Sequence, residues 1–267
     1  DMTVDETAST FGTLALTGAN VAVTDAGAVD LGASTVSGTL GITSAGAVTD
    51  SGTLAISGAT TISASGQDIT LDQAASTFGT LALTGANVAV TDAGATDLGA
   101  STISGTLGIT SAGAVTDSGT LAITGATTIS ASGQDITLDE TASTFGSLLL
   151  TGANVAVTDA GAVDLGASTV SGTLGITSAG AVTDSGTLAI TGATTISASG
   201  QDITLDESAS TFGTLALTGE NVAVTDAGAT DLGASTVGGT LGITSTGAVT
   251  DSGTLAVTGV TTISASG

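Results

Sequence analysis

The chain has 267 residues and a formal net charge of −24, because it contains 24 acidic residues and no Lys, Arg or His. It also contains no Cys, so the composition excludes thiol chemistry, zinc ligation, imidazole catalysis, a phosphate clamp and an electrostatic nucleic-acid surface. Strongly charged disordered segments are poor in apolar residues, whereas this chain is 41% hydrophobic. The composition therefore indicates a structural β protein.

Short strand-like segments follow one another along the chain. β-branched or aliphatic residues alternate with small or polar ones in each segment, which is the two-residue period of a strand. One to four Gly, Ala, Asp, Ser or Gln residues separate most segments, and Gly and Asp favour turns. In chain order the predicted segments of the first repeat, including the piece that crosses into the second, are 13–18, 20–25, 28–33, 34–38, 40–44, 47–52, 53–58, 60–65, 68–73 and 76–79.

The string STFG recurs at a constant step of 67 in the numbering, beginning at Ser9, Ser76, Ser143 and Ser210. Tandem copies without a linker or a change of composition predict a repeat architecture in which each unit packs on its neighbours. We therefore expect one continuous domain over 1–267, and a segment of a longer chain, since the sequence opens at Asp1 rather than Met. The four copies are 1–67, 68–134, 135–201 and 202–267.

The close spacing of the segments selects the fold. About seven residues per strand leave no room for helices or for the long crossovers of an open parallel sheet. Antiparallel hairpins favour Asn-Gly or Asp-Gly turns, and neither dipeptide occurs. The sequence predicts an all-β, parallel, right-handed β-helix or β-solenoid with three strands per coil of roughly 20–24 residues and about three coils per 67-residue repeat.

Differences among the four copies predict which side chains are buried. Two sets stay apolar and are predicted to face inward, and the Phe of each STFG is predicted to stack in the core. Glu220, which replaces Ala, and Leu149, which also replaces Ala, are predicted to face outward. One position alternates between Val and Thr, which suggests a half-exposed face. The inward sets are Met2, Ile69, Ile136 and Ile203, and Ile56, Ile123, Ile190 and Val257; the alternating set is Val29, Thr96, Val163 and Thr230.

Two long strings, residues 9–38 and residues 105–139, carry a recognisable pattern. Their G-x-L-x-[IVL]-T segments and the intervening V-T-D-S-G resemble the repeat regions of filamentous-haemagglutinin-like proteins and related giant bacterial surface adhesins. The resemblance extends over the whole chain. It implies a right-handed parallel β-helix that projects a rod from the cell surface.

Asp is the residue type that could bind a metal ion here. The segment V-T-D-A-G-A-[VT]-D-L-G places two Asp five residues apart across a turn in every copy. Calcium accepts six to eight oxygen ligands, which Asp side chains and nearby Gly carbonyls could supply. The alternative is that these Asp residues cap the turns and keep the protein soluble. The candidate calcium ligands are Asp25, Asp30, Asp92, Asp97, Asp159, Asp164, Asp226 and Asp231.

Taken together, these patterns predict a structural repeat segment of an extracellular bacterial fibre or giant cell-surface protein, a rigid scaffold that associates with other copies of itself. Two alternatives remain: an adhesin that binds a cell-surface glycan, and a calcium-dependent self-assembling filament. We expect no enzyme activity, because four equivalent copies of one carboxylate site do not form one catalytic centre. We also expect no nucleic-acid partner, no membrane insertion and no cofactor other than calcium.

Overall fold

A computed structural model describes all residues, 1–267. It contains parallel β-strands and no helix, and it divides into two compact units, Asp1–Gln134 (unit 1) and Asp135–Gly267 (unit 2). Because each unit contains two of the four copies, the two units are two independent views of the same repeat.

Unit 1 contains 19 strands: β1 (Met2–Val4), β2 (Thr13–Leu14), β3 (Thr17–Gly18), β4 (Val21–Asp25), β5 (Val29–Leu31), β6 (Ser34–Val36), β7 (Leu40–Ser44), β8 (Val48–Asp50), β9 (Leu54–Ile56), β10 (Thr60–Ser63), β11 (Ile69–Leu71), β12 (Thr80–Gly85), β13 (Val88–Asp92), β14 (Thr96–Leu98), β15 (Ser101–Ile103), β16 (Leu107–Ser111), β17 (Val115–Asp117), β18 (Leu121–Ile123) and β19 (Ala126–Ser130).

Unit 2 contains 18 strands: β20 (Ile136–Leu138), β21 (Ser147–Gly152), β22 (Val155–Asp159), β23 (Val163–Leu165), β24 (Ser168–Val170), β25 (Leu174–Ser178), β26 (Val182–Asp184), β27 (Leu188–Ile190), β28 (Thr194–Ser197), β29 (Ile203–Leu205), β30 (Thr214–Gly219), β31 (Val222–Asp226), β32 (Thr230–Leu232), β33 (Ser235–Val237), β34 (Leu241–Ser245), β35 (Val249–Asp251), β36 (Leu255–Val257) and β37 (Thr261–Ala265).

The strands of unit 1 form three parallel stacks, which the chain visits in turn. Stack 1 contains β1, β4, β7, β10, β12, β15 and β18. Stack 2 contains β2, β5, β8, β11, β13, β16 and β19. Stack 3 begins with β3, β6 and β9, and a single β-bridge joins β9 to Thr77 on the next coil. It ends with β14 and β17, and β14 also pairs with the first residues of β12. Unit 1 is therefore a three-sided parallel β-solenoid.

Unit 2 repeats this arrangement. Stack 4 contains β20, β22, β25, β28, β30, β33 and β36. Stack 5 contains β21, β23, β26, β29, β31, β34 and β37. Stack 6 contains β24 and β27, a bridge to Thr211, and then β32 and β35. The predicted fold class, an all-β parallel β-solenoid, is confirmed.

Many coils are shorter than the sequence predicts. The numbers of paired residues on adjacent coils differ by 17 for Leu81 and Leu98, by 19 for Val21 and Leu40, and by 21 for Val48 and Ile69. One copy of the repeat therefore covers about three and a third coils. The fraction of a coil arises because a copy contains ten strand-like pieces, which is one more than three complete coils require.

The core consists of ladders of aliphatic side chains that point into each coil. Along β4 the alternation of buried and exposed residues matches the alternation of the sequence, so that Val21 and Val23 are buried and Ala22 is exposed. Ile69 and Leu71 are completely buried, and each contributes about 2 kcal/mol by leaving water.

The predicted inward positions are buried except in the outermost coils. The buried ones are Ile56, Ile69, Ile123, Ile136, Ile190 and Ile203, together with Phe78, Phe145 and Phe212. Met2 is 37% exposed in the first coil, and Val257 and Phe11 are half-buried. The difference reflects the missing neighbour coil on one side rather than a different orientation.

Glycine is required where the backbones of successive coils nearly touch at a corner. A Cβ atom at Gly58 would lie 2.6 Å from the carbonyl oxygen of Gly38 in the preceding coil, closer than Cβ atoms approach backbone. A different requirement applies at Gly66, where φ is +72° and only Gly adopts the turn without strain. Both positions recur in later copies, so the turns are repeated with the strands.

Candidate functional sites at the coil corners

The first Asp of each predicted calcium pair is buried at a corner. Asp25 is 2% exposed, and its carboxylate accepts the N–H of Gly27 at 2.7 Å and the N–H of Phe11, one coil earlier, at 3.0 Å. Asp159 accepts the equivalent bonds from Gly161 at 2.6 Å and from Phe145 at 3.2 Å. This carboxylate therefore caps a turn and ties it to the preceding coil.

The second Asp of each pair lies on the outer surface. Asp30 accepts the hydroxyl of Thr13 in the preceding coil at 2.7 Å and the hydroxyl of Ser51 in the following coil at 2.8 Å. Asp231 accepts the equivalent hydroxyls of Ser252 and Thr214 at 2.7 and 2.9 Å. These hydrogen bonds lower the pKa of Asp30, with Thr13 the larger cause, and of Asp231, with Ser252 the larger cause.

The two members of a pair thus make different contacts: Asp25 binds two backbone amides and Asp30 binds two hydroxyls. In the second copy Asp92 accepts the N–H of Gly94 and the hydroxyl of Thr96, whereas Asp97 accepts the hydroxyls of Thr80 and Ser118. The structure contains no group of three or more acidic side chains arranged to hold a metal ion. Calcium binding at the eight Asp positions stays a prediction.

Burial raises the pKa of several corner carboxylates. Desolvation is the largest cause at Asp92 and Asp159, and backbone hydrogen bonds oppose it. A second class of corner, at Asp50 and Asp184, shows the same direction. Asp184 accepts the N–H of Asp206 at 2.8 Å, and burial followed by the nearby negative charges raises its pKa. No cationic side chain exists to offset these buried charges.

The predicted half-exposed face at the alternating Val and Thr position is wrong. All four residues are buried, with exposures of 1 or 2%. Where Thr occurs, its hydroxyl has a partner: Thr96 donates to Asp92 at 3.3 Å and bonds to Ser111 at 3.0 Å, and Thr230 donates to Asp226 at 3.0 Å. A polar residue is tolerated inside because the buried Asp lies four residues before it. The positions are Val29, Thr96, Val163 and Thr230.

Sequence reasoning missed a polar link that joins three coils. Asn87 donates to Asp68 of the preceding coil through its backbone N–H and through Nδ2, at 3.1 and 3.0 Å. Its Oδ1 accepts the N–H and the hydroxyl of Thr106 of the following coil, at 3.1 and 3.2 Å. The sequence does contain a signal for this link, because Asp68, Asn87 and Thr106 follow one another at intervals of 19, which is the length of one coil here. We call this set the Asp–Asn–Thr link; each copy contains one.

Three buried hydroxyls lack a hydrogen-bond partner. They occupy equivalent positions on the inner side of a strand and are completely buried between aliphatic residues; Thr60, for example, lies between Leu40 and Leu81 of the adjacent coils. An unpaired buried hydroxyl costs free energy that an aliphatic residue of the same shape would not. The three residues are Thr60, Thr127 and Thr194.

The outer surface of stack 1 carries an uncharged column of five hydroxyl residues, one per coil. They align although they come from five different strand segments, and their hydroxyls are not used in hydrogen bonds between coils. We call this set the hydroxyl column. Unit 2 carries the equivalent column on stack 4. The members in unit 1 are Thr24, Thr43, Ser63, Thr84 and Thr102.

Two unusual residues are accompanied by compensating changes. Glu220 is exposed, as predicted, and a Cβ atom on Gly238, where the other copies have Ser, would lie 2.5 Å from its Oε2. Leu149 points outward, as predicted, and its Cγ and Cδ1 lie close to Gly166. In the first copy the methyl group of Thr13 lies against the equivalent Gly32, and in the third copy Ser147 lacks that methyl group. Adjacent coils therefore adjust to one another in volume.

Further surface features are few. Open hollows lie beside the first coils, around Asp1, Met2 and Asn20, and beside the last coils, along 251–255. No helix has the length and apolar character that a membrane span requires.

Comparison with known proteins identifies the repeat. The comparison with curated proteins and the comparison with solved structures find no match. One family model, described as Repeats of unknown function (DUF5649), matches residues 18–84, 85–151, 152–218 and 219–267. Successive matches begin at the same interval as the STFG strings, although they start at a different point of the repeat. The chain therefore belongs to the family of Repeats of unknown function (DUF5649).

Proposed function

We propose that the protein is a structural segment of an extracellular bacterial fibre or giant cell-surface protein. The observation that carries this proposal is that its polar side chains connect one coil to the next. The corner carboxylates, the Asp–Asn–Thr links and the outer carboxylates such as Asp30, which accepts hydroxyls from both adjacent coils, all do so. Polar groups used in this way supply stiffness rather than recognition. The resemblance to filamentous-haemagglutinin-like repeats supports the cell-surface location.

Self-association of copies is part of this proposal. The charge of −24 keeps chains apart at low ionic strength, whereas added salt screens that repulsion over about 10 Å at 0.1 M. We expect sedimentation of the purified chain to show larger species as the sodium chloride concentration rises. A single species of unchanged mass at every salt concentration would remove self-association from the proposal and leave the scaffold intact.

Small-angle scattering tests the scaffold directly. A stiff solenoid predicts an elongated particle whose cross-section stays constant in dilute solution, and whose profile is unchanged by moderate denaturant below the unfolding transition. A compact or freely flexible particle would overturn the proposal. Alanine at both Asn87 and Asn154 removes two Asp–Asn–Thr links and is expected to lower the denaturant concentration at which the profile changes.

A second function, adhesion to a linear glycan, is favoured by the hydroxyl column. Its five hydroxyls make no hydrogen bonds between coils, and the residues beside them on the same face are small and uncharged, such as Ala22 and Gly41. Glycan-array binding by the whole chain, abolished when the columns of both units are changed to Ala, would support it. Absence of binding, or binding that survives these changes, would exclude it.

A further inference from the structure

Equivalent strands of the first two copies lie on different sides of unit 1. The segment V-A-V-T-D forms β4 in the first copy and β13 in the second; β4 belongs to stack 1 and β13 to stack 2. The segment L-G-I-T-S behaves in the same way, with β7 in stack 1 and β16 in stack 2. For every strand from β4 to β10, the equivalent strand of the next copy lies in the next stack around the coil.

Unit 2 shows the same step between its two copies. V-A-V-T-D of the third copy forms β22 in stack 4, and that of the fourth copy forms β31 in stack 5. The step also has the same direction around the coil, because stacks 4, 5 and 6 are visited in that order. The shift is therefore a property of the repeat and not of one pair of copies.

The register explains the shift. Outward residues in one column of stack 1 are Ala22, Gly41, Thr61 and Ala82, so three coils take the chain from Ala22 to Ala82. The seven residues that then complete the repeat bring the chain to Ala89, on the next side of the coil. A seven-residue remainder is the length of one strand with its turn.

We propose that the array is a rotational spacer, in which each 67-residue copy moves the segment that follows it by about 16 Å along the axis and turns it by a third of a turn. This inference rests on the proposed scaffold function, and it adds that each copy sets a rotation about the axis as well as a distance along it. Three copies return to the starting side, so the number of copies modulo three decides which side a neighbouring segment faces.

The surface that each copy displays follows the same rule. In the second copy a hydroxyl series equivalent to the start of the hydroxyl column, Thr91, Thr110 and Ser130, lies on stack 2 rather than stack 1. A partner that recognises this surface meets it on successive sides of the array. Gain or loss of whole copies therefore changes both the reach and the orientation of such sites.

The test uses the whole chain with two introduced cysteines, which are unique because the chain has none. Ala22→Cys and Ala89→Cys, both exposed, are labelled with gold clusters in three proteins: the parent, and variants with one or two extra copies inserted after Gln67. Ala22→Cys with Ala82→Cys is the control, since these residues share one column.

Electron microscopy of single particles then gives the angle between the labels about the long axis. The proposal predicts labels on the same side in the control and in the variant with two extra copies, and labels on different sides in the parent and in the variant with one. Labels on one side in all four proteins, or at random angles in elongated particles, would overturn the rotational spacer while leaving the scaffold. Particles that are not elongated would overturn the scaffold itself.

Discussion

The two Asp residues of each pair, one at a corner and one on the outer surface, have different environments although they are only five residues apart. The corner position, seen at Asp159, is buried and bound to backbone amides, and burial raises its pKa; the outer position, seen at Asp30, is bound to hydroxyls, which lower its pKa. The corner carboxylate is the acceptor for backbone N–H groups, whereas the outer carboxylate accepts hydrogen bonds from exposed hydroxyls. We therefore expect a corner carboxylate to contribute more to stability than an outer one, and the two classes to respond to pH in opposite directions.

Removing a corner carboxylate should have the largest effect. Asp159→Ala leaves the buried N–H of Phe145 and the half-buried N–H of Gly161 without their acceptor, and is expected to lower the free energy of unfolding by about 2–3 kcal/mol. Denaturant unfolding followed by circular dichroism measures it. Asp164→Ala, which removes an outer acceptor of Ser185, is the matched control and should change the midpoint far less. Equal losses in the two variants would contradict the distinction.

The pH dependence of stability should be opposite for the two classes. The raised pKa values of Asp50, Asp92, Asp159 and Asp184 mean that the folded state binds protons more tightly than the unfolded chain. Their contribution is therefore complete below the ordinary value of 3.8 and is lost as the pH rises through the folded pKa values. Acidification from pH 7 should raise the melting temperature.

The outer carboxylates reverse this trend at still lower pH. The lowered pKa values of Asp30 and Asp231 give stability that is present above 3.8 and is lost as the pH falls through their folded values. A melting temperature measured from pH 7 to pH 2 should therefore pass through a maximum. A steady fall of the melting temperature on acidification would contradict the assignment of buried carboxylates that have no cationic partner. Asp92→Asn should flatten the rise.

The unpaired hydroxyls inside the coils give a smaller effect of opposite sign. Thr60→Val keeps the shape of the side chain and removes a buried hydroxyl without a partner, so it should raise the free energy of unfolding by about 1 kcal/mol. The neighbouring Thr61→Val, on the exposed side of the same strand, is the control and should have little effect. Destabilisation by Thr60→Val would show that the hydroxyl has a partner after all.

The effect of calcium on the melting temperature is expected to be the smallest of these effects, and it depends on the paired Asp residues alone. If the eight paired Asp residues bind calcium, calcium chloride should raise the melting temperature beyond the increase given by sodium chloride of equal ionic strength. Replacing Asp30, Asp97, Asp164 and Asp231 by Asn should remove the difference. Equal shifts with the two salts would leave only screening of the negative charge.

The sequence could predict the fold because the strand period and the repeat are local signals. Alternation along β4 is enough to identify Val21 and Val23 as buried. The corners were harder, since their partners lie on a neighbouring coil and the coil length varies. The prediction of a half-exposed Thr96 is wrong because the sequence does not reveal that Asp92, the partner of its hydroxyl, is buried beside it. The Asp–Asn–Thr link required the local coil length to be known beforehand.

A crosslinking measurement tests the register, on which the corner contacts and the rotation of the copies both depend. Thr61 lies beside Ala82 on the adjacent coil, and both point outward, whereas Leu83 points into the core. Thr61→Cys combined with Ala82→Cys should therefore react rapidly with a short thiol crosslinker, and Thr61→Cys combined with Leu83→Cys should not. Crosslinking of the second pair in preference to the first would mean a coil longer by one residue and would contradict the three-sided register described above.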